Sequence, residues 1–105
     1  MQLSKMEACK VAVLSYLDDH RDELLEYTRD LIATPSMNPP GDERAMADAV
    51  IGRLNDLGLK GAEVKAKVPE RPNVIFQLNG DPAGPTLMLS GHLDTKPIGE
   101  AAQWH

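Results

Sequence analysis

The most informative stretch of this 105-residue sequence is residues 87–97, Leu87-Met88-Leu89-Ser90-Gly91-His92-Leu93-Asp94-Thr95-Lys96-Pro97. A short apolar run leads to a histidine, and an aspartate follows two residues later in a turn that a proline closes. Short apolar runs bounded by turn residues are typical of buried strands. We therefore predict a strand over residues 86–90 that brings His92 and Asp94 to its carboxyl edge, where a metal ligand could lie.

Upstream of this stretch, apolar residues recur at helical spacing from Leu14 to Ile32. Asp18 and Asp19 could cap a second helix or lie on the outer face of one long helix, and we favour a single helix with a soft point there. This helix must end by Thr34, because Pro35 disfavours helical geometry in the residue before it. The segment that follows is rich in proline and predicts a stiff, extended loop.

A second amphipathic helix is predicted to begin with Asp42 as its cap and to end near Gly58. Strict alternation over 62–68 then predicts a half-exposed strand, and residues 73–78 predict another. With the strand at 86–90, the order is two helices followed by three strands of a mixed sheet, in which the last two strands form an antiparallel hairpin. The sequence therefore predicts an incomplete α/β layer.

Composition sets limits on function. Hydrophobic residues make up 42% of the chain, charged residues 26%, and the net charge is -5. Nucleic acids and anionic membranes attract basic surfaces, so we expect neither as a partner. Cys9 is the single cysteine, and Glu7 and Lys10 interrupt the one apolar run near the start of the chain. These features favour a protein of the reducing cytoplasm without a signal peptide or a membrane helix.

On chemistry alone, His92 could bind a metal through one ring nitrogen while Asp94 holds the imidazole or a metal-bound water. A histidine that ends a strand beside a hydrogen-bonded aspartate is the structural alternative. Zinc requires three or four protein ligands from separated segments, and one His-x-Asp pair does not decide between the two readings.

Several segments in consistent order resemble the zinc aminoacylase family, which includes acetylornithine deacetylase, succinyl-diaminopimelate desuccinylase and glutamate-releasing carboxypeptidases. The segment that carries most of this resemblance is Ser90-Gly91-His92-Leu93-Asp94-Thr95-Lys96-Pro97, which is similar to the first metal-binding motif of the family. The supporting segments are Leu31-Ile32-Ala33-Thr34-Pro35-Ser36, Asn38-Pro39-Pro40-Gly41-Asp42-Glu43, Asn73-Val74-Ile75-Phe76 and Trp104. The resemblance as a whole covers roughly residues 20–105.

The resemblance implies a metal-dependent amidohydrolase that cleaves N-acyl amino acids or small peptides with two zinc ions, for which cobalt or manganese could substitute. His92 matches a metal ligand of the family, and Asp94 matches the catalytic aspartate that steadies the imidazole. Residues 1–105 would form the N-terminal part of a zinc-peptidase-like catalytic domain. The rest of that domain and the dimerisation domain of a homodimeric enzyme would be absent, so we expect the isolated chain to be inactive.

A different class of function is a small non-enzymatic α/β module that binds a partner strand or helix through its open sheet. Other polar residues are expected to have structural roles. His20 is interpreted as a solvated helix residue, Ser36 as a loop cap, and His105 as a residue without a ligand role. Lys96 replaces an apolar residue that is common in the family, and its role is left open.

Overall fold

The structure is a computed structural model that describes residues 2–105. These residues form two compact units that divide after Ala33. The first unit consists of helix α1, Lys5–Asp19, and helix α2, Arg21–Ala33. The second unit contains helix α3, Arg44–Asp56, strand β1, Glu63–Lys65, strand β2, Asn73–Ile75, and a 3-10 turn, Ala101–Gln103. The α/β class is confirmed, whereas the predicted arrangement of elements is only partly correct.

Helix α1 begins with a capping box. The Ser4 hydroxyl accepts from the Glu7 backbone N–H at 3.2 Å, and the Glu7 carboxylate accepts from the Ser4 N–H at 2.8 Å. These bonds satisfy two backbone donors that the first turn would otherwise leave open. The Ser4 backbone donor and hydroxyl hold the pKa of Glu7 below its ordinary value of 4.5. None of the helices within residues 2–105 is long and apolar enough to cross a membrane.

The prediction of one long first helix was wrong, because His20 separates α1 from α2. The His20 N–H donates to the Tyr16 carbonyl at 3.0 Å, and its Nδ1 lies 2.7 Å from the same oxygen. The His20 ring also stacks on Tyr16, with ring centroids 3.8 Å apart. Asp18 and Asp19 favour this ending, since acidic side chains oppose the dipole at a helix C-terminus. His20 is therefore a half-buried C-cap and not a solvated helix residue.

Helix α3 begins after Glu43, which makes no side-chain capping bond. The predicted cap, Asp42, lies one residue earlier and still accepts the Arg44 N–H at 3.2 Å. The Arg44 guanidinium also donates to Asp42, and these bonds hold the pKa of Asp42 below its ordinary value. Met46 and Ala47 of this helix are buried, and the helix packs on β2.

The predicted end of α3 at Gly58 is confirmed. Gly58 has a φ of 78°, its N–H donates to the Asn55 carbonyl, and the Leu59 N–H donates to the Leu54 carbonyl. These two bonds form a Schellman motif, which satisfies carbonyls that the last turn leaves open. The left-handed conformation at this position favours glycine because a Cβ would be strained there.

Gly58→Ala is expected to lower the free energy of unfolding by about 1 kcal/mol, because alanine must adopt the left-handed conformation. A Cβ at Gly58 meets no atom within 4 Å, so the effect would come from backbone strain alone. Gly52→Ala, inside α3 and equally open, provides a matched control. It should raise stability by about 0.5 kcal/mol. Urea unfolding followed by circular dichroism would measure the change in stability of each variant. Changes of the same sign in the two variants would contradict the strain argument.

The sheet is smaller than predicted. Strands β1 and β2 pair antiparallel, with Glu63 opposite Ile75, Val64 opposite Val74 and Lys65 opposite Asn73. The predicted strand over 86–90 does not form in the structure, so it makes no hairpin with β2. Leu87, Met88 and Leu89 are instead 82–86% exposed. A strand requires a partner backbone, and none of the described residues pairs with this segment.

Candidate metal centre

The segment that contains Asp94 is held beside the proline-rich loop. The Thr95 N–H donates to the Ser36 carbonyl at 3.0 Å, and the Asn38 N–H donates to the Thr95 carbonyl at 2.8 Å. These bonds form a parallel bridge between Met37 and Thr95. Ser36 is 1% exposed, and its hydroxyl lies 3.3 Å from that of Thr95. Ser36 therefore ties two segments together, where the sequence had suggested a loop cap.

His92 and Asp94 are in direct contact, which both readings of the sequence allow. The His92 Nδ1 lies 2.6 Å from the Asp94 carbonyl oxygen and 3.0 Å from the Asp94 Oδ1. A carbonyl oxygen can only accept, so Nδ1 must carry the proton. In the neutral ring this leaves the lone pair on Nε2, and the side chain is 83% exposed. A metal-ligating histidine commonly has this arrangement, with its second nitrogen bound to a carboxylate or a carbonyl.

The Asp94 carboxylate is itself held from its other side. The Asn38 side-chain amide donates to Asp94 Oδ2 at 3.0 Å, and Nη2 of Arg71 lies 3.7 Å from the same oxygen. The pKa of Asp94 lies below its ordinary value of 3.8 mainly because of the hydrogen bond from Asn38. Desolvation of the carboxylate raises the pKa, but by less than the Asn38 bond lowers it, and His92 and Arg71 lower it further. Asp94 is therefore an ionised acceptor for the His92 ring at neutral pH.

An ion pair between buried Glu43 and exposed Arg71 lies next to Asp94. The Glu43 side chain is 4% exposed and faces the Arg71 guanidinium, whose Nε donates to Oε2 at 2.9 Å. Nη2 of Arg71 lies 2.8 Å from Oε1, although this contact lacks hydrogen-bond angles, so Oε1 has a charge partner without a donor directed at it. The guanidinium lies over Gly41, where a Cβ would come within 2.7 Å of Nη1. The absence of a side chain at Gly41 thus makes room for Arg71.

An open cleft of about 450 Å³ is lined by Glu43, residues 71–74 and residues 91–94, and Asn38 is not part of this lining. The sequence had identified His92 and Asp94 as site residues, but not Asn38, Glu43 or Arg71. Asn38 and Glu43 lie in the proline-rich segment quoted above, which was the one available signal for them. No pattern in the sequence singled out Arg71.

The donors fit one position of a zinc site. An exposed imidazole nitrogen whose ring is fixed through Nδ1 is a suitable zinc ligand, but zinc takes three or four protein ligands. Among residues 2–105, no three His, Cys, Asp or Glu side chains are grouped so that they could hold a metal ion. His105 is exposed and does not line the cleft, and Cys9 is an exposed free cysteine of the first unit. The described residues therefore offer one ligand and its supporting carboxylate.

No family model matches the chain, and no solved structure matches it significantly. Curated proteins do match. The chain is 33% identical over 81 residues to succinyl-diaminopimelate desuccinylase of Methylobacillus flagellatus, which covers 77% of the chain and 20% of that protein. It is 28% identical over 94 residues to N-formyl-4-amino-5-aminomethyl-2-methylpyrimidine deformylase of Halalkalibacterium halodurans, with 88% and 22% covered.

A desuccinylase of the same name from Xanthobacter autotrophicus is 34% identical over 79 residues, covering 72% of the chain and 20% of that protein. The chain thus spans about a fifth of the length of the curated relatives it matches. The names of these relatives include one member of the family that the sequence resembles. The similarities therefore support a relation to amidohydrolase-like enzymes, with hydrolase activity suggested by the names desuccinylase and deformylase.

Proposed function

We propose that this chain is the N-terminal part of the catalytic domain of a zinc-dependent amidohydrolase that acts on N-acyl amino acids or small peptides. The observation that carries the proposal is the His92–Asp94 contact, in which Nδ1 is held and Nε2 is left for a metal. Similarity to desuccinylases and deformylases, whose names denote the removal of acyl groups, supports the same reaction class.

In this proposal, His92 binds zinc through Nε2, and Asp94 orients the ring and strengthens it as a ligand. Two bound zinc ions, or cobalt or manganese in their place, would polarise the amide carbonyl and lower the pKa of the attacking water. The described residues do not supply enough ligands for two ions. The 105-residue chain alone is therefore proposed to be inactive.

The proposal extends to a homodimeric enzyme of the cytoplasm that binds neither nucleic acid nor membrane. The exposure of Leu87, Met88 and Leu89 supports a larger domain, because an exposed apolar run is typical of a surface that another segment covers. The alternative, a small α/β module without enzymatic activity, predicts a cooperative unfolding transition whose midpoint zinc does not change. It also predicts little binding of a dye that reports exposed apolar surface.

The decisive experiment is to express the complete reading frame that contains these 105 codons and to assay it on N-acetyl, N-succinyl and N-formyl amino acids. Hydrolysis that disappears on chelation and returns with zinc would support the proposal. A frame that encodes no further metal ligands, or activity that chelation does not affect, would contradict it.

Asp94→Ala in that protein is expected to lower zinc affinity or turnover by about 10–100-fold, as loss of a carboxylate behind a ligating histidine typically does. The reason is that the His92 ring would lose its Oδ1 partner. Asp81→Ala, in a turn outside the cleft, is a control that removes the same group. Equal zinc affinities and rates for the two variants would show that Asp94 does not support a metal ligand.

A further inference from the structure

We infer that Asn38 is a positioning residue, which fixes the Asp94 carboxylate and through it the His92 ring. This inference concerns the proposed metal site and rests on the proposed function, because the orientation of the His92 ring matters for function if the ring binds a metal. The geometry is a relay of three side chains. The Asn38 amide donates to Asp94 Oδ2 at 3.0 Å, and Asp94 Oδ1 lies 3.0 Å from the His92 Nδ1.

The backbone places Asn38 for this role independently of its side chain. Its N–H donates to the Thr95 carbonyl at 2.8 Å, directly beside Asp94 in the chain. Buried Ser36 binds Thr95 from the other end of the same bridge. The Asn38 side chain therefore extends from a backbone that is already fixed to the segment carrying Asp94, so removal of its amide should leave the bridge in place.

The other neighbour of Oδ2 cannot replace the Asn38 amide. Nη2 of Arg71 lies 3.7 Å from Oδ2, beyond hydrogen-bond distance, and it already faces Glu43 Oε1 at 2.8 Å. The Asp94 side chain is 30% exposed, so water would compete for Oδ2 once the amide is gone. We expect the carboxylate then to sample further rotamers and to lose its fixed contact with the ring.

The consequence is that the proton of the neutral His92 ring is less firmly fixed on Nδ1. The protonated nitrogen of a neutral histidine is set by the hydrogen bond that this nitrogen makes. The Asp94 carbonyl accepts from Nδ1 at 2.6 Å, and the negative charge of the Asp94 carboxylate, whose Oδ1 lies 3.0 Å away, also favours the proton on Nδ1. With the carboxylate mobile, only the carbonyl remains, and a larger fraction of rings should carry the proton on Nε2, the nitrogen that a metal would need.

The test uses NMR on the 105-residue chain at a pH where the ring is neutral. The χ1 couplings of Asp94 and the ring ¹⁵N shifts of His92 are compared in wild type, N38L and N38D. Leucine and aspartate are close to asparagine in size and neither can donate to Oδ2. N79L and N79D, at an asparagine outside the cleft, are the matched controls. Backbone amide shifts of Thr95 report whether the bridge is retained.

We expect a single Asp94 rotamer in wild type and in both controls. In the N38 variants the couplings should be averaged, and the Nε2–H fraction should rise at least about twofold. Unchanged Asp94 couplings in N38D with the Thr95 shifts retained would overturn the inference. An averaged Asp94 rotamer in wild type would overturn it as well. If N38L disrupts the bridge between Met37 and Thr95, the Asp94 couplings of N38D alone test the inference.

Zinc titration in the same samples separates this inference from the proposed function. If His92 resonances respond to zinc in wild type, the N38 variants should bind about 10-fold more weakly. If they do not respond in wild type or in the protein from the complete reading frame, the metal proposal fails. The Asp94 couplings would still decide the positioning role of Asn38, because they are measured without metal.

Discussion

His92→Ala is expected to lower the zinc affinity of the proposed enzyme, encoded by the complete reading frame, by more than about 100-fold. Loss of a group that only supports a ligand costs about 10–100-fold, so loss of the ligand itself should cost more. Turnover should fall with zinc occupancy, because the proposed water activation depends on the metal. Stability should change little, since the side chain is 83% exposed and substitutions of this kind usually alter unfolding by less than about 0.5 kcal/mol.

Competition with a chromophoric chelator would measure this affinity, and thermal unfolding without zinc would confirm that the variant is folded. His105→Ala is the matched control, because this histidine is also exposed and does not line the cleft. The proposed metal role of His92 is contradicted if both variants retain the wild-type affinity. A loss in both would show instead that His105 takes part in the site.

The helices show how far local signals in the sequence can be trusted. Pro35 and Gly58 act on their own neighbours, through steric restriction and a left-handed conformation, and both predicted ends are confirmed within a residue or two. The break at His20 was underestimated, because it depends on the stacked Tyr16 ring and on two bonds to one carbonyl. Periodicity of apolar residues carries no information about such a cap.

For the strands, the sequence pattern identifies segments but does not show which segments pair with each other. Alternation over 62–68 and the residues from Asn73 onward identified the two segments that form β1 and β2. Their pairing with each other was missed, and a hairpin with 86–90 was predicted in its place. An apolar run such as 87–89 indicates burial, but pairing depends on backbone groups elsewhere, which sequence pattern does not specify.

In the site, too, local contacts could be expected from the sequence, whereas contacts between distant residues could not. His92 and Asp94 are two residues apart, so their contact could be predicted from the motif. Asn38 reaches Asp94 across 56 residues, and Glu43 pairs with Arg71 across 28. Neither distance leaves a periodic signal. The proline-rich segment resembles a loop of the family, and the structure shows that its Asn38 and Glu43 side chains contact Asp94 and Arg71.

The Glu43–Arg71 ion pair in the lining of the cleft is expected to contribute strongly to stability. Arg71→Met should lower the free energy of unfolding by about 2 kcal/mol, because it leaves the Glu43 carboxylate, 4% exposed, without its cation. Breaking a fully buried pair costs about 3–5 kcal/mol, and the 44% exposure of Arg71 argues for a smaller value, since water already screens one partner. Glu43→Gln should cost less, about 1 kcal/mol, since the remaining cation can be hydrated.

Urea unfolding of Arg71→Met, Glu43→Gln and the double variant forms a double-mutant cycle. The double variant should be more stable than Arg71→Met by about 1 kcal/mol, because it no longer buries an unpaired charge. Lys65→Met is the matched control, as it removes an exposed cation 3.3 Å from Glu63, and exposed pairs contribute about 0–1 kcal/mol. Purely additive effects in the cycle would show that Arg71 does not compensate the Glu43 charge. A coupling between the two substitutions would show that Arg71 compensates the charge of the Glu43 carboxylate.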